Sequence, residues 1–368
     1  MRRVKKQLGD VLTLKRGYDL PERIRVNGNV PIVSSSGITG THKEAKVVGP
    51  GVVTGRYGTL GEVFYIDEPF WPLNTALYVQ DFKGNDRRFV AYFLKWVLNG
   101  TKSDKAAVPG VNRNDLHARI VDVPSDPNEQ STIASILSAY DDLIENNRRR
   151  IQLLEQAARL LYKEWFVHLR FPGHEHVKIT NGVPEGWQKK NLIYIAEITM
   201  GQSPKSIYYN EDENGLPFHQ GVTDFGVRFP THRMYCTVEN RIANSGDILF
   251  SVRAPVGRIN ISPDKIIIGR GLAAIRSNCG QQNLLFYALK DHFFKEDMMG
   301  GGAIFAAITK KDLHEVNLLQ PTDQLAAMFM DHVHSIDRQI ANIQQATDSL
   351  QEARDLLLPR LMNGEVTV

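Results

Sequence analysis

Two long stretches of the chain each carry a single stripe of apolar side chains at helical spacing. Residues 129–168 contain no Pro or Gly, and their apolar residues recur at steps of three and four. This spacing places side chains on one face of a helix. Residues 324–361 carry a second stripe of similar length. Each stripe predicts a rod roughly 60 Å long, at about 1.5 Å per residue.

A single apolar stripe on so long a helix must be covered, and the two stretches most simply cover each other as an antiparallel coiled coil. The alternative is two ordinary core helices, although these rarely exceed about 25 residues without a break. Asn147 falls within the first stripe and is a candidate for fixing the register. The residues expected to pack the helices or dock a partner are Ile136, Tyr140, Ile144, Ile151, Leu154, Leu161, Phe329, Ile336, Ile340, Ile343, Leu350 and Leu357.

The segments between the long helices repeat. KKNLIYIAEITMG at 189–201 matches KKQLGDVLTLKRG at 5–17, and three further matches follow in the same order at offsets of 195 to 197. The second copy is therefore expected to hold about eleven extra residues, within 208–229. A period this long indicates domain duplication rather than a solenoid, and it implies pseudo-two-fold symmetry.

The fold class predicted from these patterns is α+β, with two β-rich globules separated by the two long antiparallel helices. Residues 51–66 and 75–82 carry β-branched and aromatic residues between glycines and predict strands, and residues 86–98 predict a short helix. Residues 171–187 are rich in Pro and Gly and predict a linker. The predicted domains are a first globule at 1–128, a central helix at 129–170, a second globule at 171–322 and a C-terminal helix at 323–368.

Composition limits the class of protein. The 368 residues carry a net charge of +3, too small an excess to indicate a nucleic-acid partner. Two cysteines in a chain of this length fit a reducing cytoplasm, where we expect the protein to reside. The N-terminus has no apolar stretch typical of a signal peptide, and no run of about 18 apolar residues predicts a membrane span.

Motifs for catalysis are missing from the sequence. No Gly is followed by Lys, so there is no phosphate-binding loop, and no two prolines are consecutive, as an adenine methyltransferase site requires. His174 to His176 and the pair His332 and His334 are interpreted as solvated histidines, because neither set has the spacing of a metal site. We therefore predict no catalytic residue and no metal site. An enzyme acting alone, such as a nuclease, would need one of these.

Several segments together resemble the specificity subunit of type I restriction-modification systems, and the resemblance covers essentially the whole chain. They are the helical stretch from residue 129, RDLLLPRLMNGEV at 354–366, GVPEGW at 182–187, GQSPKSIYYN at 201–210 with LPFHQG at 216–221, and GDILFSVRAPVG at 246–257. The first globule departs from the pattern, because it has no PEGW-like entry.

The resemblance implies a DNA-recognition subunit without chemistry of its own. Each globule would be a target recognition domain for one half of a bipartite, asymmetric duplex site. The helix pair would space the globules and dock two methyltransferase subunits, which bring S-adenosylmethionine and methylate adenine. Restriction subunits with motor activity would add ATP- and Mg-dependent cleavage. The alternative is a free-standing coiled-coil regulator or scaffold that binds duplex DNA without methyltransferase partners.

Polar residues near turns are the candidates for contact with DNA, since Arg suits guanine and Gln suits adenine. Arg148 to Arg150 on the central helix form either a solvated face or a phosphate contact. The candidates in the two globules are Ser35, Ser36, Arg56, Tyr57, Asn74, Lys102, Asn112, Arg113, Lys205, Tyr208, Tyr209, His219, Gln220, Arg228, Arg253, Arg258 and Arg270.

Overall fold

The computed structural model describes residues 3–56, 61–99, 112–293 and 307–368. The chain forms two compact units, the first from Met1–Asn146 with Ala346–Val368 and the second from Asn147–Gln345. Each unit therefore holds one globule together with part of each long helix. Within the described residues, no helix is long and apolar enough to cross a membrane.

The first unit begins with a strand that pairs with the last strand of its globule. Its described elements are β1 (Arg3–Gln7), α1 (Leu8–Val11), β2 (Thr13–Arg16), a 3-10 turn (Glu22–Ile24), β3 (Val30–Ser34), β4 (Gly37–His42), β5 (Gly51–Gly55), β6 (Val63–Ile66), β7 (Trp71–Pro72), β8 (Ala76–Asp81), α2 (Arg87–Leu98), α3 (Arg113–Ala118), β9 (Ile120–Pro124) and the start of α4 (Pro127–Tyr162).

The second unit repeats this order with additions. After a π-helical turn (Lys163–Val167) and a 3-10 turn (His174–His176), its described elements are β10 (Ile179–Thr180), β11 (Val183–Pro184), β12 (Gln188–Asn191), α5 (Leu192–Ile195), β13 (Ala196–Met200), a 3-10 turn (Ser206–Tyr208), β14 (Tyr209–Asn210), β15 (Leu216–His219), β16 (Tyr235–Cys236), β17 (Ile242–Ala243), β18 (Ile248–Ser251), β19 (Ile259–Ile261), β20 (Ile266–Ile268), β21 (Leu272–Ser277), α6 (Gln282–Phe293), α7 (Lys310–Glu315), β22 (Asn317–Gln320) and the start of α8 (Asp323–Asn363).

Sheet topology confirms the internal duplication. The four-stranded sheet of the first unit has the order β2-β8-β5-β6, and that of the second has the order β13-β21-β18-β19. The closing pairs β1-β9 and β12-β22 are also equivalent, and both are antiparallel. In the described part of each globule, two strands pair in parallel: β3 with β7 and β15 with β20. The predicted α+β class is therefore correct.

The extra residues of the second copy lie after β15. The parallel pairs match Ile32 with Phe218, which are 186 residues apart, whereas the antiparallel ladders match Val53 with Leu249, which are 196 apart. About ten residues have therefore been added between β15 and β18. The predicted range of 208–229 overlaps this segment only in its second half.

The two long helices run antiparallel within each unit. In the first unit, Ile133 and Leu137 near the start of α4 share a core with Leu358 and Leu361 near the end of α8. In the second unit, Ile151 on α4 packs with Ile340 and Ile343 on α8. The start of α4 at Pro127 follows from the fixed φ of proline, which suits the first turn of a helix and needs no N–H there.

The segment predicted as a linker is packed into the second unit. Phe171 and Trp187 are buried, with ring centroids 5.0 Å apart, and Trp187 lies 5.6 Å from Phe166 of the π-helical turn. Burial of these rings holds the segment against the unit, although its Pro and Gly content is typical of a linker. The linker prediction was therefore wrong, and residues 171–187 belong to the body of the second unit.

Candidate DNA interface

A polar edge forms in the first unit where β3, β5 and β7 end. Leu73 N donates to Val33 O at 2.8 Å, which brings the end of β7 beside the end of β3. Arg56 N donates to Thr75 O at 3.0 Å, which adds the end of β5. Ser35 and Ser36 follow β3, Arg56 follows β5, and Asn74 follows β7. We call these four residues the first polar edge.

The second unit builds the same edge from different side chains. Gly269 N donates to His219 O at 2.8 Å and Gly271 N donates to Gln220 O at 3.0 Å, so the ends of β15 and β20 meet. Val252 N donates to Gly271 O at 2.9 Å, which brings the end of β18 to the same edge. This bond is equivalent to the one from Arg56 N to Thr75 O in the first unit. We call the exposed residues Gln220, Arg253 and Arg270 the second polar edge.

Glycine explains why the backbone can close in at both edges. A Cβ at Gly17 would lie 2.2 Å from Leu73 O, and one at Gly201 would lie 2.2 Å from Gly269 O. These two glycines occupy the same position of the sequence repeat. Any other residue would push away the turn that carries Asn74 in one unit and Arg270 in the other.

The loop from Gly201 to Asn210 lies against the second polar edge. Arg270 N donates to Ser203 Oγ at 3.2 Å, and the Tyr209 hydroxyl donates to Pro204 O at 2.8 Å. Burial raises the pKa of Tyr209 above its ordinary value. Tyr209 also stacks on Phe218 at 4.6 Å. Lys205 and Tyr208 are exposed on the same loop.

Ser251 holds the turn that carries Arg258. Its hydroxyl donates to Pro255 O at 2.7 Å and accepts from Arg258 N at 2.8 Å. The Arg258 side chain is exposed and lines a cleft of about 450 Å³ together with Phe225 and Asn260. The predicted candidate is thus fixed at its backbone, close to the end of β18.

The remaining candidates of the first unit are less grouped. Asn112 caps α3 by accepting from Asn114 N at 2.9 Å, and Arg113 is exposed beside it. α3 packs on α1 and β2, and Leu14 N donates to His117 Nε2 at 2.9 Å. Leu14 is near the start of β2, whereas Gly17 follows the end of that strand. Tyr57 and Lys102 lie outside the described residues.

Two candidates are buried, and the prediction that they contact DNA was wrong. His219 is 1% exposed and Arg228 is 2% exposed, so neither side chain can reach a base or a phosphate. His219 Nε2 lies 2.9 Å from His232 Nδ1, and His232 Nε2 lies 3.3 Å from Asp264 Oδ2. Arg228 forms ion pairs with Glu155 and Asp337. Both residues serve the interior of the second unit.

The burial of His219 predicts a pH-dependent stability. Burial, and then the neighbouring His232, lower the pKa of His219 from 6.5 to about 4. Between these values the unfolded chain binds more protons, so stability falls as the pH drops through this window, by about 3 kcal/mol in all. We expect His219→Gln to remove this contribution. The difference in unfolding free energy between the two proteins should change by about 3 kcal/mol from pH 7 to pH 4, and parallel curves would contradict the assignment.

The twelve predicted helix-packing residues are all buried or half-buried. Ile144, Ile151, Phe329, Ile340 and Ile343 are buried. The other seven, Ile136, Tyr140, Leu154, Leu161, Ile336, Leu350 and Leu357, are partly exposed. Asn147 is half-buried, and Arg148, Arg149 and Arg150 are exposed. Within the described ranges, no group of three His, Cys, Asp or Glu residues is arranged to hold a metal ion.

Comparison with known proteins identifies the family. A model of the type I restriction modification DNA specificity domain matches residues 3–156 and 184–352. A putative type I restriction enzyme MjaX specificity subunit from Methanocaldococcus jannaschii is 33% identical over 297 residues, covering 77% of this chain and 70% of the relative. The HindI specificity subunit from Haemophilus influenzae is 20% identical over 335 residues, covering 72% and 73%.

A solved structure shares the fold. The crystal structure of a type I restriction-modification S subunit from M. genitalium has a TM-score of 0.61 at 18% identity, covering 98% of this chain and 96% of that one. Both specificity-domain matches include one globule and part of a long helix, in keeping with the duplicated element order. The chain therefore belongs to the family of type I restriction-modification DNA specificity subunits.

Proposed function

We propose that this chain reads a bipartite, asymmetric duplex DNA site, with one globule on each half, inside a complex with methyltransferase subunits. The observation that carries the proposal is the pair of polar edges. The same three strand ends converge in both globules, yet the side chains that they present differ. A shared framework with different polar groups is what two readers of unlike base sequences require.

The chemistry of the edges suits base readout. Arg253 and Arg270 each present a planar fork of donors, which matches the two acceptors of guanine, whereas Gln220 matches adenine. Ser35, Ser36 and Asn74 are shorter and can both donate and accept. The second half of the site is therefore expected to be richer in guanine contacts than the first.

The outer faces of the long helices are the proposed docking sites for two methyltransferase subunits. Leu160 on α4 and Leu356 on α8 stand 196 residues apart, at equivalent positions of the repeat, and are 54% and 63% exposed. Because the two leucines are exposed at matching places on the two helices, each is proposed to contribute to an apolar contact that is made twice. One methyltransferase subunit on each of these two sites accounts for their repetition.

The chain is proposed to contribute recognition and no catalysis. S-adenosylmethionine is expected to bind in the methyltransferase subunits, and ATP and Mg in the restriction subunits of the full complex. The sequence motifs that such sites need are missing from this chain. Adenine methylation and cleavage should thus arise only after assembly.

Co-expression with a type I methyltransferase subunit tests the proposal. The two proteins should co-purify, and methylome sequencing should reveal one motif with two specified halves and an unspecified spacer. The chain alone should show no methylation, cleavage or ATP hydrolysis. Turnover by the purified chain, or methylation without a bipartite motif, would contradict the proposal.

A further inference from the structure

The interior of the second unit contains a charge cluster centred on Arg228. Arg228 Nε donates to Glu155 Oε1 on α4, and its Nη2 donates to Tyr287 Oη on α6 at 2.8 Å and to Asp337 Oδ1 on α8 at 2.9 Å. One guanidinium therefore bonds three helices. Burial alone would lower the pKa of Arg228, but Glu155, Tyr287 and Asp337 outweigh it and raise this pKa, so Arg228 is always charged.

The carboxylates of the cluster accept further hydrogen bonds from other side chains. Lys290 Nζ donates to Glu155 Oε2 at 2.8 Å, the Tyr287 hydroxyl donates to Asp337 Oδ1 at 2.9 Å, and Asn283 donates to Asp337 Oδ2. The Arg228 guanidinium also lies over the Phe286 ring, 4.4 Å from its centroid. Buried charges need this degree of pairing, because an unpaired one is strongly destabilising.

Arg228 belongs to the segment that the second globule adds between β15 and β18. The neighbouring Phe229 packs on the helix-pair core formed by Ile151, Ile340 and Ile343. Gly226 N donates to Phe229 O at 3.1 Å, and a Cβ at Gly226 would lie 2.5 Å from that oxygen. The turn 226–229 thus places the charged side chain of Arg228 and the apolar side chain of Phe229 against the long helices.

The same segment is tied to the second polar edge along two routes. Along the chain, it begins directly after Gln220. Across the sheet, Ile261 N donates to Arg228 O at 2.8 Å, and Ile261 lies opposite Ile248 at the start of β18, the strand whose other end leads to Arg253. Arg228 is thus connected to Gln220 along the chain and to Arg253 along the length of β18.

The first unit has a related cluster without such a segment. The Tyr92 hydroxyl donates to Asp141 Oδ2 at 2.5 Å, and Arg354 Nη1 donates to Asp141 Oδ1 at 2.6 Å. Tyr92 and Asp141 stand 195 and 196 residues before Tyr287 and Asp337, so both clusters place a tyrosine of the globule on a carboxylate of a long helix. The arginine, however, comes from the helix α8 in the first unit and from the globule's added segment in the second.

We propose that Arg228 is a positioning residue for DNA specificity, which fixes the second polar edge against the long helices and so sets the base preference of the second half-site. This inference rests on the proposed function, since it assigns a further residue to the same recognition. A guanidinium is required because its planar fork of N–H donors reaches Glu155, Tyr287 and Asp337 at the same time. The single ammonium group of lysine cannot reproduce this geometry. Arg228 acts through Gln220 and Arg253 and touches no DNA itself.

The test uses the complex of the full chain with its methyltransferase subunits and compares two variants of the cluster. Arg228→Lys keeps the charge but loses the fork. The triple variant Arg228→Met, Glu155→Gln, Asp337→Asn removes the charge of Arg228 together with the charges of its two carboxylate partners. Of the cluster's charges it leaves that of Lys290, whose side chain is partly exposed, without its ion pair. Asp141→Asn in the first unit is the matched control. Melting temperatures show which variants are folded. If the triple variant does not fold, the comparison of Arg228→Lys with the wild type tests the positioning role.

The readout is the ratio of affinities for a duplex with the wild-type motif and duplexes with one half scrambled. We expect the Arg228 variants to lose about tenfold or more of discrimination at the second half, with the first half unchanged, which is the size of one lost base contact. Asp141→Asn should spare the second half. Weaker binding with both ratios unchanged, or an equal loss at both halves, would overturn the positioning role. Absence of any motif in the wild-type complex would instead refute the proposed function.

Discussion

Replacing Gln220, Arg253 and Arg270 together by alanine is expected to abolish recognition of the second half-site while leaving the first intact. Each lost base-edge contact costs about 1–3 kcal/mol at one position, so the combined loss should be at least about a hundredfold in affinity for the motif. These side chains follow the ends of β15, β18 and β20, and they are exposed, so the second globule should keep its core. Competition binding with half-scrambled duplexes measures the effect.

A charge-matched control separates readout from general attraction to phosphate. The double variant Lys265→Ala, Lys311→Ala also removes two positive charges, but from other exposed positions of the second globule. This control should weaken binding to all duplexes alike and only slightly, as lost phosphate attraction does. If the triple alanine variant also weakened all sequences alike, the second polar edge would not read bases.

Leu154→Pro is expected to have the largest effect on the helix pair. Leu154 lies in the last third of α4, about two turns before its end at Tyr162, and packs beside Ile151, Ile340 and Ile343. Proline there removes the hydrogen bond to the carbonyl of Arg150 and clashes with it, at about 3 kcal/mol or more. We expect loss of methyltransferase docking or an altered spacer between half-sites, measured by co-purification and by methylome sequencing.

Leu154→Ala is the matched control, because it removes the packing contact and keeps the backbone bond. It should be less destabilising than Leu154→Pro and should retain both docking and spacer length. Unchanged assembly and an unchanged motif in the proline variant would show that a continuous helix is not required there.

The long helices could be predicted closely because one apolar stripe determines them. The predicted ranges 129–168 and 324–361 correspond to α4 with its π-helical turn and to α8. The repeat could also be predicted, since its matched residues are those the framework needs, such as Gly17 and Gly201 where backbones approach closely. Local pattern and steric requirement are both visible in a sequence.

The polar edges could only partly be predicted. They depend on the parallel pairs of β3 with β7 and of β15 with β20, whose partners are distant in sequence and joined through other strands. Turn composition indicated Gln220, Arg253 and Arg270 as polar and exposed, but it could not bring them together. The same composition made Arg228 resemble a surface residue.

The burial of Arg228 depends on partners far away in the chain. Glu155, Tyr287 and Asp337 lie 73, 59 and 109 residues from it. No local pattern reports such contacts. The repeat held a partial signal, because Asp141 and Asp337 match at one offset and each accepts a hydrogen bond from a tyrosine of its own globule.

Exchange of residues 189–314 for the matching globule of a relative with a known site tests the central claim most directly. The chimera, co-expressed with its methyltransferase subunit, would be analysed by methylome sequencing. If each globule reads its own half-site, one half of the motif should be replaced, and the other half and the spacer length should be retained. A motif in which both halves change together would contradict independent reading by the two globules.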